Sequence, residues 1–244
     1  MKLYTIGDLH LSMTGEKPMD CFGETWRDHP RRLEEGFRKV GEDDVTVLCG
    51  DLSWAMSLEG AREDFAFISR LPGRKIILKG NHDYWWTTAS RTYRFFEEQR
   101  FEGMQILHNN AFLFGDVALC GTRGWFFEEE KGGEHDRKML AREVLRLETS
   151  LKAAGDREKI VFLHYPPVYQ HYRCEEILRL LEQYQVKQCF YGHIHGRGCP
   201  SAFSGWLGCT RFRLVSADWL RFEPLEIMDL PPEGDGPADE PVGP

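Results

Sequence analysis

The stretch "KIILKGNHDYWW", residues 75–86, decides how this chain is read. Its first part, Lys75–Lys79, is a short apolar run of the kind found in buried strands. The run ends at Gly80 and at once places Asn81, His82 and Asp83 side by side. Alone, such a cluster is a polar turn. Its meaning depends on whether other strand-like runs end in the same way.

They do. "KLYTI" (2–6) ends in Gly7-Asp8-Leu9-His10, and "VTVLC" (45–49) ends in Gly50-Asp51. "KIVFL" (159–163) ends in His164, and "QCFY" (188–191) ends in Gly192-His193-Ile194-His195-Gly196. With the opening stretch, every run terminates in a metal-capable side chain, in most cases just after a glycine. In parallel α/β sheets, ligands gather beyond the carboxyl ends of the strands. Five such strands side by side would bring these groups into one pocket. The period-two spacing of Asp8-x-His10 and His193-x-His195 lets both members of a pair point the same way from extended backbone.

Helical patterns alternate with the strands. Leu33, Phe37 and Val40 share one face, as do Leu58, Ala61, Phe65, Ile68 and Leu71 before the stop signal Pro72-Gly73. Leu140, Val144, Leu147 and Leu151 repeat the pattern, and so do Ile177, Leu178 and Leu181. The alternation predicts an α/β fold with parallel pairing. Strands without helices at "QIL", "AFLF" and "VALC", and short ones near 212–215 and 225–228, predict a second, mixed sheet packed on the first.

Composition narrows the function classes. The 244-residue chain is 41% hydrophobic and 13% aromatic, enough for a real core, and carries a formal net charge of -8. That charge disfavours a protein whose task is gripping long nucleic acid, which needs a basic face. No window reaches the roughly 20 apolar residues of a membrane span, and Asp8 comes too early for a signal peptide core. The seven scattered cysteines form no C-x-x-C pair; Cys49, Cys120 and Cys189 read as small buried hydrophobes, and a reducing cytoplasm is expected. The domain is expected to span 1–230, with 231–244, "PPEGDGPADEPVGP", as a disordered acidic tail.

The donor inventory is two Asp, one Asn and four His, with His82 in addition. Oxygen and nitrogen donors without thiolate suit two divalent ions such as Mn, Fe, Zn, Co or Ni. Two ions about 3.5–4 Å apart polarise a phosphoryl group and ionise a bridging water.

The ordered set GD-x-H, GD, GNHD, H and GH-x-H, over residues 7 to 196, resembles the calcineurin-like metallophosphoesterase superfamily. "GDLSWAM", "GNHDYWW" and "GTRGW" resemble a poorly characterised bacterial branch of predicted phosphohydrolases. The resemblance implies a two-sheet sandwich flanked by helices. It implies one metal on Asp8, His10, Asp51 and His195, and a second on Asp51, Asn81, His164 and His193, with Asp51 as the bridge. His82 would protonate the leaving oxygen and Asp83 would orient His82. Protein Ser/Thr phosphatases of the superfamily usually carry an arginine soon after the bridging Asp and a Glu after GNH. Here Ser53-Trp54 and Asp83 stand in those places, which favours phosphodiesterase-like or small-molecule relatives.

Blander readings stand beside these. Asp83 could cap the helix expected at "YWWTTASRTYRFF". Trp85 and Trp86 are either core or a wall of the pocket. Arg123, between glycines in "GTRGW", either reaches a substrate phosphate or makes a surface ion pair, and Trp125 beside it is a candidate stacking surface. His29, in the irregular 12–30 insertion, reads as structural or exposed, and His108, His135 and His171 as surface. "FEEEKGGEHD" (127–136) reads as a solvated loop whose position permits a lid. The expected activity is hydrolysis of a small phosphoester by a metal-bridging hydroxide, with phosphodiesters or nucleotides first and phosphomonoesters second. Single-strand nuclease activity ranks third. A metal-stabilised protein-interaction scaffold without catalysis is the rival of another class.

Overall fold

The computed structural model describes residues 1–127 and 133–232. Thirteen strands and five α-helices alternate among them. The strands are β1 (Lys2–Ile6), β2 (Val45–Leu48), β3 (Arg74–Ile77), β4 (Met104–Ile106), β5 (Ala111–Phe114), β6 (Val117–Thr122), β7 (Glu158–Leu163), β8 (Val168–Tyr169), β9 (Tyr172–Arg173), β10 (Gln188–Tyr191), β11 (Gly205–Leu207), β12 (Thr210–Leu214) and β13 (Leu225–Asp229). The helices are α1 (His29–Phe37), α2 (Arg62–Arg70), α3 (Ala89–Gln99), α4 (Glu134–Ala153) and α5 (Glu175–Gln183).

The first sheet has the order β13-β1-β2-β3-β4, parallel except for β13. The second has the order β11-β12-β10-β7-β6-β5, parallel at its centre with an antiparallel strand at each edge. The mixed second sheet expected from the sequence is therefore present.

Period-two alternation explains the continuous apolar runs. Leu3, Val47, Ile76 and Leu78 point between the sheets, where they meet Ile160, Phe162 and Phe190 from the other side. Ile6, Leu48 and Ile77 point outward onto α1, α2 and α3 through Phe37, Phe65 and Phe96. Val161, Leu163 and Cys189 point outward onto α4 and α5 through Leu147, Leu151 and Leu181. Strands buried on both faces carry no polar alternation. The result is a helix–sheet–sheet–helix sandwich.

One expectation changes form. The five motif strands do not lie side by side in one sheet: β1, β2 and β3 belong to the first, and β7 and β10 to the second. The carboxyl ends of the two sheets converge because Gly7 N–H donates to Val215 O (2.8 Å) and Ala217 N–H donates to Gly7 O (2.9 Å), tying the end of β1 to the end of β12. The pocket straddles that seam. Among the described residues no helix is long and apolar enough to cross a membrane. The tail from 233 onward and residues 128–132 of the expected lid lie outside the described residues.

Candidate metal centre

The ligand-bearing turns begin where the strands run out, and their backbone is unusual. Asp8, His10, Asp51 and His193 have φ of 60°, 45°, 52° and 70°. Non-glycine residues seldom occupy this left-handed region, and those that do cluster at functional sites. The neighbouring glycines are needed for close approach. A Cβ at Gly80 would fall on the Asp51 carboxylate, and one at Gly192 on the Asp8 carboxylate.

Two groups of side chains result. In the first, His195 Nε2 stands 3.4 Å from Asp8 Oδ1 and 3.2 Å from His10 Nε2, and His10 Nε2 stands 3.8 Å from Asp51 Oδ2. In the second, Asn81 Oδ1 lies 2.6 Å from His164 Nε2 and 2.9 Å from His193 Nδ1, with Asp51 Oδ1 3.6 Å from His164 Nε2. Asp51 thus turns one oxygen to each group. The structure brings together all seven residues expected as metal ligands.

The donor chemistry of these groups fits cations. His164 Nδ1 is 3.0 Å from the carbonyl of Cys49, which only accepts, so Nδ1 carries the proton. His164 Nε2 then faces the oxygens of Asn81 and Asp51. His195 Nδ1 donates in the same way to Asp218 Oδ1 at 3.2 Å, which turns His195 Nε2 toward Asp8 and His10. Buried His10 Nδ1 and Asp51 Oδ2 have no hydrogen-bond partner among the described residues. Converging lone pairs and orphaned acceptors are costly inside a protein unless a positive charge sits among them. Burial lifts the Asp51 carboxyl to about 7, with Asp83 and Asp8 adding to it and His164 opposing. Burial, and then His164, lower the His193 imidazole to about 3. Burial works against His195, yet Asp8 and Asp218 raise it to about 10.

Asp83 is not where the sequence reading put it. Its fully buried carboxylate accepts from the backbone N–H of Asp51 (2.8 Å), Leu52 (2.8 Å) and Gly80 (2.7 Å), and from Trp85 Nε1 (2.9 Å). It therefore staples the Asp51 turn to the Asn81 turn and does not orient His82. Nor does it cap the next helix, because α3 begins at Ala89 with Thr88 Oγ1 accepting from Arg91 N–H. Asp83→Ala would strand these four buried donors, and Ser53 N–H at 3.3 Å as a fifth, at about 1–3 kcal/mol each. It is expected to lower stability by roughly 3 kcal/mol or more, read as a lowered urea midpoint with unchanged slope.

His82 stands half-buried at the rim. Its N–H donates to Asp51 Oδ1 at 2.8 Å, its Nδ1 is 3.2 Å from the Tyr84 hydroxyl, and its Nε2 has no partner among the described residues. Trp54 packs on it at 4.5 Å between ring centroids and stacks on His10 at 4.8 Å. The 12–30 insertion is more ordered than its composition implied. It forms two 3-10 turns, Met19–Phe22 and Glu24–Trp26, and seals one side of the centre. Trp26 meets His10 edge-on at 5.8 Å and His195 at 5.6 Å, and Trp54 Nε1 contacts Met19 Sδ at 3.1 Å. His29 is buried beside Trp26 and Phe222. Trp85 is core, packed on Phe65, while Trp86 is only partly buried. His108 is half-buried, its ring 5.5 Å from that of Trp86, which corrects its expected surface position.

Arg123 and Trp125 are not drawn into the ligand cluster. The Arg123 guanidinium turns to buried Glu143, with Nη2 3.4 Å from Oε1, while its carbonyl accepts from the N–H of His164 and Tyr165. Trp125 donates to Asp136 Oδ1 at 3.2 Å and packs on Tyr165. Phe126, which sequence reasoning passed over, lies closer, 6.1 Å from the His193 ring.

Asp218 was also missed. Besides His195 Nδ1, it holds Gly196 N–H at 2.7 Å. Its signal was available, since "RLVSADWL" carries an apolar run into an acid as the other motifs do. Carboxylates behind metal-bound histidines fix ring orientation, and losing one costs about 10–100-fold in metal affinity. Asp218→Ala is expected to show a loss of that size in chelator competition, and an unchanged affinity would remove the assignment.

Carboxylate, amide and imidazole donors at strand ends, with one acid shared between two sets, define a class of enzyme, the metallophosphoesterases. The chain belongs to one family of that class, the calcineurin-like phosphoesterases, whose pattern matches residues 1–197. Solved structures agree on the fold. A phosphopantetheinyl hydrolase from Mycobacterium tuberculosis superposes with a TM-score of 0.61 at 14% identity, covering 98% of each chain. A protein from Thermus thermophilus gives 0.58 at 12% identity, covering 93% of this chain and 97% of the other. A protein of unknown function from Aquifex aeolicus gives 0.51 at 15% identity, covering 92% and 95%. The sequence matches none of the curated proteins.

Proposed function

We propose that residues 1–230 form a dinuclear, metal-dependent hydrolase of a small phosphodiester or nucleotide-like phosphoester. The observation that carries this reading is the Asp51 carboxylate, whose Oδ2 lies 3.8 Å from His10 Nε2 and whose Oδ1 lies 3.6 Å from His164 Nε2. Asp8, His10, Asp51 and His195 would hold one ion, and Asp51, Asn81, His164 and His193 the other. Two divalent ions (Mn, Fe, Zn, Co or Ni) bound there would polarise a phosphoryl oxygen and make water a nucleophile at neutral pH.

The chain's own groups do the rest. Asp83 and Asp218 hold the ligand turns and the His195 ring in register. Trp26 and Trp54 exclude water from the His10 side. His82 Nδ1 pairs with the Tyr84 hydroxyl at 3.2 Å, so the other ring nitrogen, Nε2, is the one placed to deliver a proton to the departing oxygen. All seven cysteines are free thiols, which supports a reducing, cytoplasmic setting.

The choice of diester rests on what replaces a phosphatase arginine. Ser53 Oγ is bound to Asp64, and Trp54 lies flat on His10, so this side of the centre offers an aromatic face where protein phosphatases offer a guanidinium. Bis-p-nitrophenyl phosphate is therefore expected to be cleaved at least about tenfold more efficiently than a phosphoserine peptide, a difference of roughly 1.4 kcal/mol in the barrier. The two kcat/KM values decide it, and preference for the peptide would reverse the substrate assignment.

A further inference from the structure

Beside the metal centre lies a second concavity that the mechanism above does not use. A cavity of about 370 Å³ opens between the loop entering α3, the ends of β3, β4 and β6, and one face of α4. Lys79, Arg123 and Arg146 line it, opposed by a single carboxylate, Glu143. Glu143 is fully buried and already committed: it accepts from Thr122 Oγ1 and from Arg146 Nη1 at 2.6 Å, and Arg123 Nη2 stands 3.4 Å away. Arg123 Nε is buried without any hydrogen-bond partner among the described residues. No hydrogen bond or ion pair joins the Lys79 ammonium to another described residue. The lining thus carries three cations against one anion, with a buried donor left over.

The start of α3 adds to the positive field. Thr87, Thr88 and Ala89 form part of the wall, and α3 is 11 residues long, so the positive end of its dipole borders the cavity. Unpaired cations and orphaned donors in a half-enclosed space are unfavourable until an anion joins them. Guanidinium groups bind phosphate and carboxylate oxygens with charge-assisted hydrogen bonds.

We propose that this cavity is an oxyanion subsite that takes a phosphate or carboxylate group. Two sources share that chemistry: the non-reacting end of the substrate and free inorganic anion. The substrate form deepens the phosphoesterase reading and rests on it. It draws on proximity, since Lys79 runs straight into Gly80-Asn81 and the Arg123 carbonyl binds the N–H of His164.

The test begins with sulfate added to the full-length protein and the NMR signals of the Trp86 indole and His108 ring. Saturable shifts are expected. Lys79→Ala and Arg146→Ala should each weaken them about tenfold, equivalent to roughly 1.4 kcal/mol, while His82→Ala keeps them. Absent shifts, or shifts undiminished in both variants, would overturn the subsite. The source is read from KM for a diester with and without a terminal phosphate on its alcohol. A rise of about tenfold in Arg146→Ala for the phosphate-bearing diester alone places substrate in the cavity. Unchanged KM for both, with sulfate binding lost, assigns the subsite to inorganic anion. If neither diester is cleaved, the phosphoesterase reading fails, while the sulfate titration still decides the subsite.

Discussion

An Asp51→Asn protein is expected to lose both metal ions together, and more than about 100-fold of its turnover with them. Loss of a residue that merely supports a ligand costs about 10–100-fold, and Asp51 faces both ligand groups directly. Its two oxygens are not equivalent. Oδ1 accepts from His82 N–H at 2.8 Å and faces His164, whereas Oδ2 is buried without a partner and faces His10. The amide of Asn keeps the His82 bond by holding its oxygen at the Oδ1 position. It must then aim an N–H₂ at the His10 side, where a donor repels a cation. Elemental analysis of the purified variant should find neither ion near one per chain, and activity should not return on adding metal. A variant that keeps one ion at full occupancy would show that the carboxylate is not shared. A wild-type protein that works after exhaustive chelation would overturn metal dependence itself.

His82→Ala is the second large effect, and its size should depend on the leaving group. General acid catalysis contributes about 10²–10⁴ in rate. A nitrophenolate departs readily without a proton, but an alkoxide does not. The loss should therefore approach that range on an alkyl or nucleoside ester and stay within about tenfold on a nitrophenyl ester. Metal content should stay near wild type, because the hydrogen bond from His82 to the ligand set runs through its backbone N–H, while its ring only packs near His10 at 5.8 Å. Equal losses on both esters would withdraw the general-acid role. Asp83 provides the contrast. Since it binds backbone and Trp85 rather than the His82 ring, an Asp83→Asn protein that folds should lose activity on both esters alike.

The strands, and the polar residues that meet at their ends, were legible because both obey short-range rules. "KLYTI", "KIILK" and "KIVFL" are apolar on both faces and end in polar side chains, and the strands found lie within a residue or two of these runs. What escaped depends on distant chain. Nothing local in "GNHD" tells whether Asp83 turns outward to His82 or inward to the amides of Asp51 and Leu52, since those amides are about 30 residues upstream. The 12–30 insertion lacks periodicity because it folds onto Trp54 and His10 instead of forming a regular element of its own. Lys75, which opens an apolar run, is 2% exposed, with Nζ satisfied by the carbonyls of Leu71 and Gly73 at 2.6 Å each, partners that no pattern local to the strand announces. His108 looked like surface because the wall that half-covers it, Trp86, arrives from another strand end.

The tie between Gly7 and Val215 has a consequence for how the protein comes into being. Asp8, Asp51 and Asn81 stand at the end of one sheet, while His164, His193, His195 and their brace Asp218 stand at the end of the other. A ribosome must therefore deliver nearly the whole chain before the first competent site can exist, and no fragment ending before β12 can carry one. Ions that bind only the closed seam act as a rivet between the sheets. At a free concentration 100 times its dissociation constant, each such ion would add about 2.7 kcal/mol to the folded state. On the proposed dinuclear reading, cellular metal supply would govern not only the rate of the enzyme but also its lifetime against proteases, because a starved population would spend more of its time with the seam open.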